Sequence, residues 1–369
     1  MEKVRFGIIG CGNISAQYFT ASAKLPVLEC VACADINPDA AKAAGEKYNV
    51  AKVLTPTELM HDPAVEIVLN LTIPKAHAQV TLSAIEAGKH VYLEKPLGVN
   101  RTEGHQILAA SRAKGVRVGC APDTFLGAGL QTARKFIDDG AIGTPTGFQS
   151  IFMGSGPEAW HPNPEFVYEI GGGPMFDMGP YYLTALLNLF GPAKRISGMA
   201  NIGFKERFVG SGPKKGKKLP VETPDQIFGL VEFENGALGT LATTLTAKYS
   251  VHDWTNPITV WGTEGAMKVP DPNSFDGPVF IATAATEGKW QELPSAFVTG
   301  YGRSIGLADM AVAIRRDRPH RASAEQAALV LDLMQGFLDS STTGEIHEPT
   351  VKYQRPAPMP AQLPFGELD

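Results

Sequence analysis

Three groups of residues in this 369-residue chain have the types and spacings that chemistry needs. The first is Gly10-Cys11-Gly12-Asn13-Ile14-Ser15, directly after the apolar run Val4–Ile9. Strand, glycine turn and helix in that order form a phosphate cradle. Gly10 permits the turn, Gly12 lets a pyrophosphate approach bare backbone, and Asn13 and Ile14 open a helix whose free N–H groups face the anion. The second is Asp35, 23 residues after Gly12, at the end of the next apolar run. There a carboxylate accepts hydrogen bonds from the adenosine ribose and repels a 2′-phosphate, which favours NAD over NADP. The plainer reading of Asp35 is a cap for the helix that follows. The third group is Glu94-Lys95-Pro96 together with Asp177 and Tyr181. Hydride transfer from a secondary alcohol needs a short donor–acceptor distance, loss of the hydroxyl proton and a donor for the developing alkoxide. Lys95 at a strand end supplies the positive charge, and such a charge lowers the pKa of a phenol beside it.

These residues need elements to position them. Helices are expected over 14–24, 39–48, 57–60, 77–87 and 101–114, alternating with strands over 28–34, 65–71, 90–93 and 116–120. About 120 residues of such alternation predict a doubly wound parallel sheet covered on both faces. Thr72-Ile73-Pro74 closes one strand at the carboxyl edge, where ligands bind, and His77 opens the next helix as either a groove residue or a surface cap. Pro96 restricts the backbone after Lys95 and permits a cis bond that would aim the ammonium. Further on, the strand 147–153 leads into the proline-rich loop 154–164. In it Trp160 offers an apolar face to a sugar ring and His161 a titratable donor. Gly171-Gly172-Gly173 bends the chain into a helix in which the i, i+4 spacing sets Asp177 and Tyr181 on one face. Asp123 reads either as a contact to substrate or nicotinamide ribose or as a turn residue after Pro122. Arg303 stands before a helix, where it could reach a polyol. Later strands, 226–232, 239–246 and 258–262, alternate as an antiparallel sheet with one buried face does. Cys30-Val31-Ala32-Cys33 invites a metal reading. Residues three apart on a strand point to opposite faces, and no second ligand pair exists at suitable spacing, so no metal is expected.

In order along the chain, Gly10-Cys11-Gly12-Asn13, Ala87-Gly88-Lys89-His90-Val91, Glu94-Lys95-Pro96, Gly140-Ala141-Ile142-Gly143, Gly171-Gly172-Gly173 and Asp177-Met178-Gly179 resemble the Gfo/Idh/MocA oxidoreductases. The resemblance runs to about residue 340. It implies an N-terminal Rossmann domain (1–122) and an α/β domain (123–369) with a large open, mostly antiparallel sheet. It also implies that a second subunit covers that sheet, as a homodimer or homotetramer. It gives Lys95 the role of the active-site lysine and Asp177 that of the aspartate completing the substrate site. Most members carry a catalytic histidine four residues later, where this chain has Tyr181; glucose–fructose oxidoreductase is similar to it in this. On this resemblance Tyr181 is expected to be the base, Lys95 to tune it and bind the substrate oxygen, and Asp177 to fix the substrate, with His161 as the rival base. Many members carry asparagine where this chain has Asp123.

Net charge of −5 and 44% hydrophobic residues favour neither nucleic acid nor an anionic membrane as partner. No apolar run approaches the ~20 residues of a membrane span. The first residues run straight into a strand pattern without a leader-like segment, so a cytoplasmic protein is expected. The leading expectation is an NAD-dependent dehydrogenase acting on a sugar, glycoside or cyclitol hydroxyl. Its alternative is a redox-neutral glycosidase using tightly bound NAD. A third class, a non-catalytic NAD sensor, would need none of Lys95, Asp177 and Tyr181.

Overall fold

The computed structural model describes residues 1–161, 163–169, 171–249 and 252–369. The chain divides into two compact units. The first comprises residues 1–131, 296–331 and 356–369, and the second residues 132–295 and 332–355.

In the first unit β1 (Val4–Ile9), β2 (Leu28–Ala34), β3 (Lys52–Leu54), β4 (Ile67–Asn70), β5 (His90–Leu93) and β6 (Val118–Cys120) form one parallel sheet, ordered β3-β2-β1-β4-β5-β6. Helices α1 (Ser15–Ser22), α2 (Pro38–Tyr48), α3 (Pro56–His61), α4 (Pro74–Glu86) and α5 (Arg101–Lys114) connect the strands. This is the predicted doubly wound fold. Every residue of β4 is buried, as a strand covered on both faces requires. The strand order reverses between β1 and β4, so the glycine turn after β1 and the Thr72–Pro74 turn after β4 lie at the topological switch point, where such sheets bind ligands. Local chemistry sets the helix starts. Asn37 caps α2, Thr55 and Glu58 form a capping box on α3, and Asn100 caps α5. Pro74 takes the first position of α4, which starts three residues earlier than the sequence pattern suggests. β3 has no counterpart in the sequence reading, because three half-exposed or exposed residues at a sheet edge carry no periodic signal.

Beyond the expected residues 1–122, the first unit also takes in residues 123–131, 296–331 and 356–369. Helix α6 (Ala128–Asp138) carries the chain out of the first unit, and α10 (Ile305–Arg316) and the start of α11 (Ala324–Thr343) bring it back. The Cys120 N–H bonds the Ala322 carbonyl at 3.1 Å, and Gly119 bridges to Ser323. The edge of β6 is thereby covered by backbone from 200 residues later, a pairing that local sequence does not encode.

In the second unit, β7 (Pro145–Met153), β8 (Ala193–Asn201), β11 (Gln226–Phe233), β12 (Leu238–Thr244), β13 (Ile258–Gly262), β14 (Gly265–Val269), β15 (Val279–Thr283) and β16 (Gln291–Leu293) form an eight-stranded sheet. Its order is β16-β15-β14-β13-β7-β12-β11-β8, and only β7 and β12 run parallel. A small hairpin, β9 (Glu206–Phe208) with β10 (Lys218–Pro220), stands apart. One sheet face is core. Phe148 and Phe233 meet Phe190 of α9 (Gly179–Phe190), and Phe337 of α11 packs where Gly198 and Gly229 leave room for it. The other face carries Met199, 81% exposed, with Phe228, Leu230, Leu238 and Trp261 also exposed. Along the chain between β7 and α9 come two short helices, α7 (Glu165–Tyr168) and α8 (Gly173–Asp177).

Candidate active site

The glycine turn has two distinct glycines. Gly10 adopts φ +104°, and a Cβ there would lie 2.6 Å from the Leu71 carbonyl, so only glycine closes this turn. A Cβ on Gly12 would meet no protein atom within 4 Å. The fold itself does not require that glycine. Open space over bare backbone is what a pyrophosphate needs. Ile14 stands at the N-cap of α1 and no side chain caps the helix, while the Ser15 hydroxyl bonds back to the Gly12 carbonyl at 2.7 Å. These features fit the dinucleotide that the motif predicts.

Asp35 binds the turn to the end of β2. One carboxylate oxygen accepts the Cys11 N–H at 2.7 Å and the other accepts the Asn37 N–H at 2.8 Å. Each oxygen keeps a lone pair for a ribose hydroxyl. Ile36, 95% exposed after β2, escaped the sequence reading, while Ile73, 67% exposed after β4, belongs to the turn expected at the ligand edge; they lie on either side of β1. Two bare apolar side chains flanking the turn fit the faces of a flat base. The visible signal was an isoleucine inside each of two otherwise polar turns.

The other turn is set by groups behind it. Asn70, fully buried, accepts from the Thr72 N–H and hydroxyl, at 3.2 and 2.6 Å, and donates to the His77 carbonyl and Thr81 hydroxyl. His77 lies inside α4 and is buried. Its Nδ1 sits 2.6 Å from the Pro96 carbonyl and its Nε2 3.0 Å from the Thr72 carbonyl. Burial depresses its pKa more than these carbonyls raise it. His77 therefore lies between the turn after β4 and the turn after β5, with one ring nitrogen facing a carbonyl of each; the neutral ring donates to one of them at a time. Pro74 is half-exposed at the head of α4.

Lys95 is half-buried at the carboxyl end of β5, and the Lys95–Pro96 bond is cis. Its N–H donates to Oε2 of Glu94 at 3.0 Å. Oε1 of Glu94 accepts from the Tyr18 hydroxyl at 2.8 Å, and the Arg303 guanidinium lies 3.7 Å away. Glu94, itself buried, thus fixes the Lys95 turn against α1 rather than reaching outward. Arg303 is likewise turned toward Glu94, not toward solvent. Asp123 is fully buried, and its Oδ2 accepts the N–H groups of Ser304 and Gly306, both at 3.0 Å, at the start of α10. Burial pushes its pKa up to about 6 against the pull of Arg303. The substrate contact expected of Asp123 has no exposed atom to make it; the carboxylate holds the head of α10.

In the second unit Asp177 ends α8 and Tyr181 lies in the first turn of α9. The single helix expected here is two, meeting at Met178, whose φ −106° and ψ −28° keep the path close to helical. Asp177 is half-buried and Tyr181 buried. The loop before them is anchored from below. Arg207 of β9, 4% exposed at its side chain, binds Glu158 at 2.9 Å, the Ser155 carbonyl at 2.9 Å and the Leu245 carbonyl at 2.6 Å, with buried Asp225 at 3.4 Å. Tyr168 donates to the other oxygen of Glu158. On this base Trp160 is 70% exposed, and His161 meets the edges of Trp160 and Phe166, each at 5.5 Å. Nδ1 of His161 accepts the Asn163 N–H at 3.1 Å. The neutral ring then holds its proton on Nε2 and presents a donor. In the stretch 214–218, Lys214 and Lys217 pair with Glu165 and Lys218 with Glu206, as in a solvated loop.

Residues 4–121 match the model of an oxidoreductase family with an NAD-binding Rossmann fold, and residues 130–268 match the GFO/IDH/MocA C-terminal domain. The chain belongs to the GFO/IDH/MocA family. It is 26% identical to levoglucosan dehydrogenase of Pseudarthrobacter phenanthrenivorans over 72% of this chain and 73% of that one. It is 23% identical to an NADP(+) scyllo-inositol 2-dehydrogenase of Bacillus subtilis over 92% and 94%. A solved levoglucosan dehydrogenase, complexed with NADH and levoglucosan, superposes with a TM-score of 0.81 at 21% identity, covering 95% of this chain and all of that one, which shows the fold. The chain is therefore an NAD-binding oxidoreductase of a GFO/IDH/MocA type whose relatives act on sugars. No helix among the described residues is long and apolar enough to cross a membrane.

Proposed function

We propose that this protein is an NAD-dependent dehydrogenase that oxidises a secondary hydroxyl of a sugar, glycoside or cyclitol. The observation that carries the reading is the paired construction at the switch point: an open Gly12 turn tied to Asp35, and a Lys95 turn fixed by Glu94 and His77. Asp35 favours NAD over NADP because a 2′-phosphate would meet its carboxylate. Bound NAD supplies the hydride acceptor.

In this reading Lys95 binds the reacting oxygen, Tyr181 takes the hydroxyl proton and Asp177 fixes the substrate. His161 serves as a hydrogen-bond donor, since its Nδ1 is occupied and its Nε2 carries the proton. Trp160 supports the apolar face of the ring. A cytoplasmic location goes with this reading, because the nicotinamide pool is there. The exposed apolar sheet face with Met199 is where a second copy of the chain would bind, giving a homodimer or homotetramer.

The test is a screen of sugars, cyclitols and aryl glycosides with NAD and NADP, following both reduced nicotinamide and released aglycone. Stoichiometric NADH supports the proposal. Aglycone release without net NADH, or turnover only with NADP, overturns it. In single turnover, Tyr181→Phe should lose the hydride step while His161→Ala mainly weakens substrate binding. The opposite outcome removes the role given to Tyr181.

A further inference from the structure

Tyr18 stands on α1, the helix that follows the Gly12 turn, and is fully buried. Its hydroxyl donates to Oε1 of Glu94 at 2.8 Å. Oε2 of the same carboxylate accepts the Lys95 N–H at 3.0 Å, and the Arg303 guanidinium lies 3.7 Å from Oε1. Glu94 is thus a buried carboxylate held from three parts of the chain: α1, the turn after β5 and the segment before α10. A buried charge that loses a donor is costly, so each of the three helps to fix Glu94 and the turn it opens. Arg303 reaches this point through strained backbone. Ser304 beside it is buried and adopts φ +93° and ψ −4°, a conformation rarely taken by a residue with a Cβ. Asp123 Oδ2 holds the chain there through the N–H groups of Ser304 and Gly306, and the Ser304 hydroxyl donates to the Tyr18 carbonyl at 3.4 Å. A Cβ on Gly306 would collide with the Tyr92 hydroxyl, so the head of α10 lies directly on β5, the strand that ends beside Glu94. Strain of this kind persists where the surroundings over-determine a conformation. Here it sets a cation against Glu94.

We propose that Tyr18 and Arg303 are positioning residues of the oxidation step, which through Glu94 hold the turn that aims Lys95. The inference rests on the reading that Lys95 binds the reacting oxygen. Tyr18 has no exposed surface with which to meet a substrate, so it acts only through Glu94. Hydride transfer demands a narrow alignment, and a cation that wanders from the reacting oxygen loses rate rather than binding. Tyr18→Phe keeps the ring and its packing and removes one donor, leaving Oε1 to the guanidinium. The carboxylate then gains freedom to rotate, the Lys95 N–H loses its fixed acceptor, and the ammonium loses its aim. Because Tyr18 belongs to α1, its hydroxyl also ties the helix behind the phosphate turn to the turn that carries Lys95.

Wild type, Tyr18→Phe, Arg303→Met, Arg303→Lys and Lys95→Met would be compared in two measurements. The first needs no substrate: trace acetic anhydride labels lysines of the NADH-bound protein, and chymotryptic peptides are read by mass spectrometry. Lys95 should label about threefold faster or more in Tyr18→Phe and Arg303→Met, and less so in Arg303→Lys, while exposed Lys42 of α2 keeps its rate. The second is turnover with NAD on the alcohol that yields NADH in the screen above. In Tyr18→Phe kcat should fall about tenfold or more, with the KM for NAD within about twofold of wild type. A merely structural role would move Lys42 labelling and the KM for NAD as well. Lys95 labelled at the wild-type rate in both Tyr18→Phe and Arg303→Met overturns the proposal. So does undiminished kcat in Tyr18→Phe where Lys95→Met is inactive. If Lys95→Met itself turns over normally, the role given to Lys95 fails instead, and the labelling tells the two failures apart.

Discussion

Replacing Asp123 by Asn should stabilise the protein, and only above a definite pH. The carboxyl is fully buried, and burial raises its pKa from 3.8 to about 6. Between those values the folded state holds a proton that the unfolded chain has released. Stability contributed by this group is therefore present below about pH 4 and is lost as pH rises through 6. A shift of roughly two units at 1.36 kcal/mol each sets the loss at about 3 kcal/mol. Asn keeps an oxygen for the Ser304 and Gly306 N–H groups and has no proton to lose. The assay is urea denaturation of wild type and Asp123→Asn from pH 4 to 8, taking the difference at each pH so that other titrating groups cancel. The variant should match the wild type near pH 4 and exceed it by up to about 3 kcal/mol at pH 8. A difference that does not change with pH, or a variant less stable at pH 8, would refute the reasoning.

The two turn glycines should separate folding from binding. Gly12→Ala should leave stability within about 0.5 kcal/mol and lower NADH affinity tenfold or more, whereas Gly10→Ala should lose about 1–3 kcal/mol from its strained φ alone; melting curves beside calorimetry decide. Lys95→Met should bind NADH normally yet lose about 10²-fold or more in turnover, read by stopped flow. Arg207→Met leaves buried Asp225 and half-buried Glu158 without their cation, and denaturation should register on the order of 3–5 kcal/mol.

Much of this was legible in the sequence because the signals were local. The glycine turn, the Asp35 spacing and the alternation of strands and helices each depend on a few adjacent residues. So the parallel sheet and the position of Lys95 could be read directly. What could not be read depends on distant partners. Nothing near Asp123 announces Ser304 and Gly306, and nothing near Glu94 announces Tyr18 and Arg303. Their burial follows from chain returning after residue 296. His77 could be read as surface or groove from its position, and only the approach of the Pro96 carbonyl resolves it as an internal brace. The break at Met178 was hidden because its dihedrals barely leave the helical region, so the i, i+4 spacing still looked like one helix.

The late return of the chain to the first unit has a consequence for synthesis. Arg318 pairs with Asp369 at 2.7 Å, the Met359 N–H bonds Gln131, and Phe365 stacks on Tyr301. The first unit is thus begun by residues 1–131 and closed by residues 356–369, with the second unit translated in between. While the second unit is being translated, β6 waits with an unpaired edge, a state open to wrong pairing and to chaperones. Until residues 356–369 arrive, the unit that carries the Gly12 turn lacks its last segment, although every strand of its sheet has already been made.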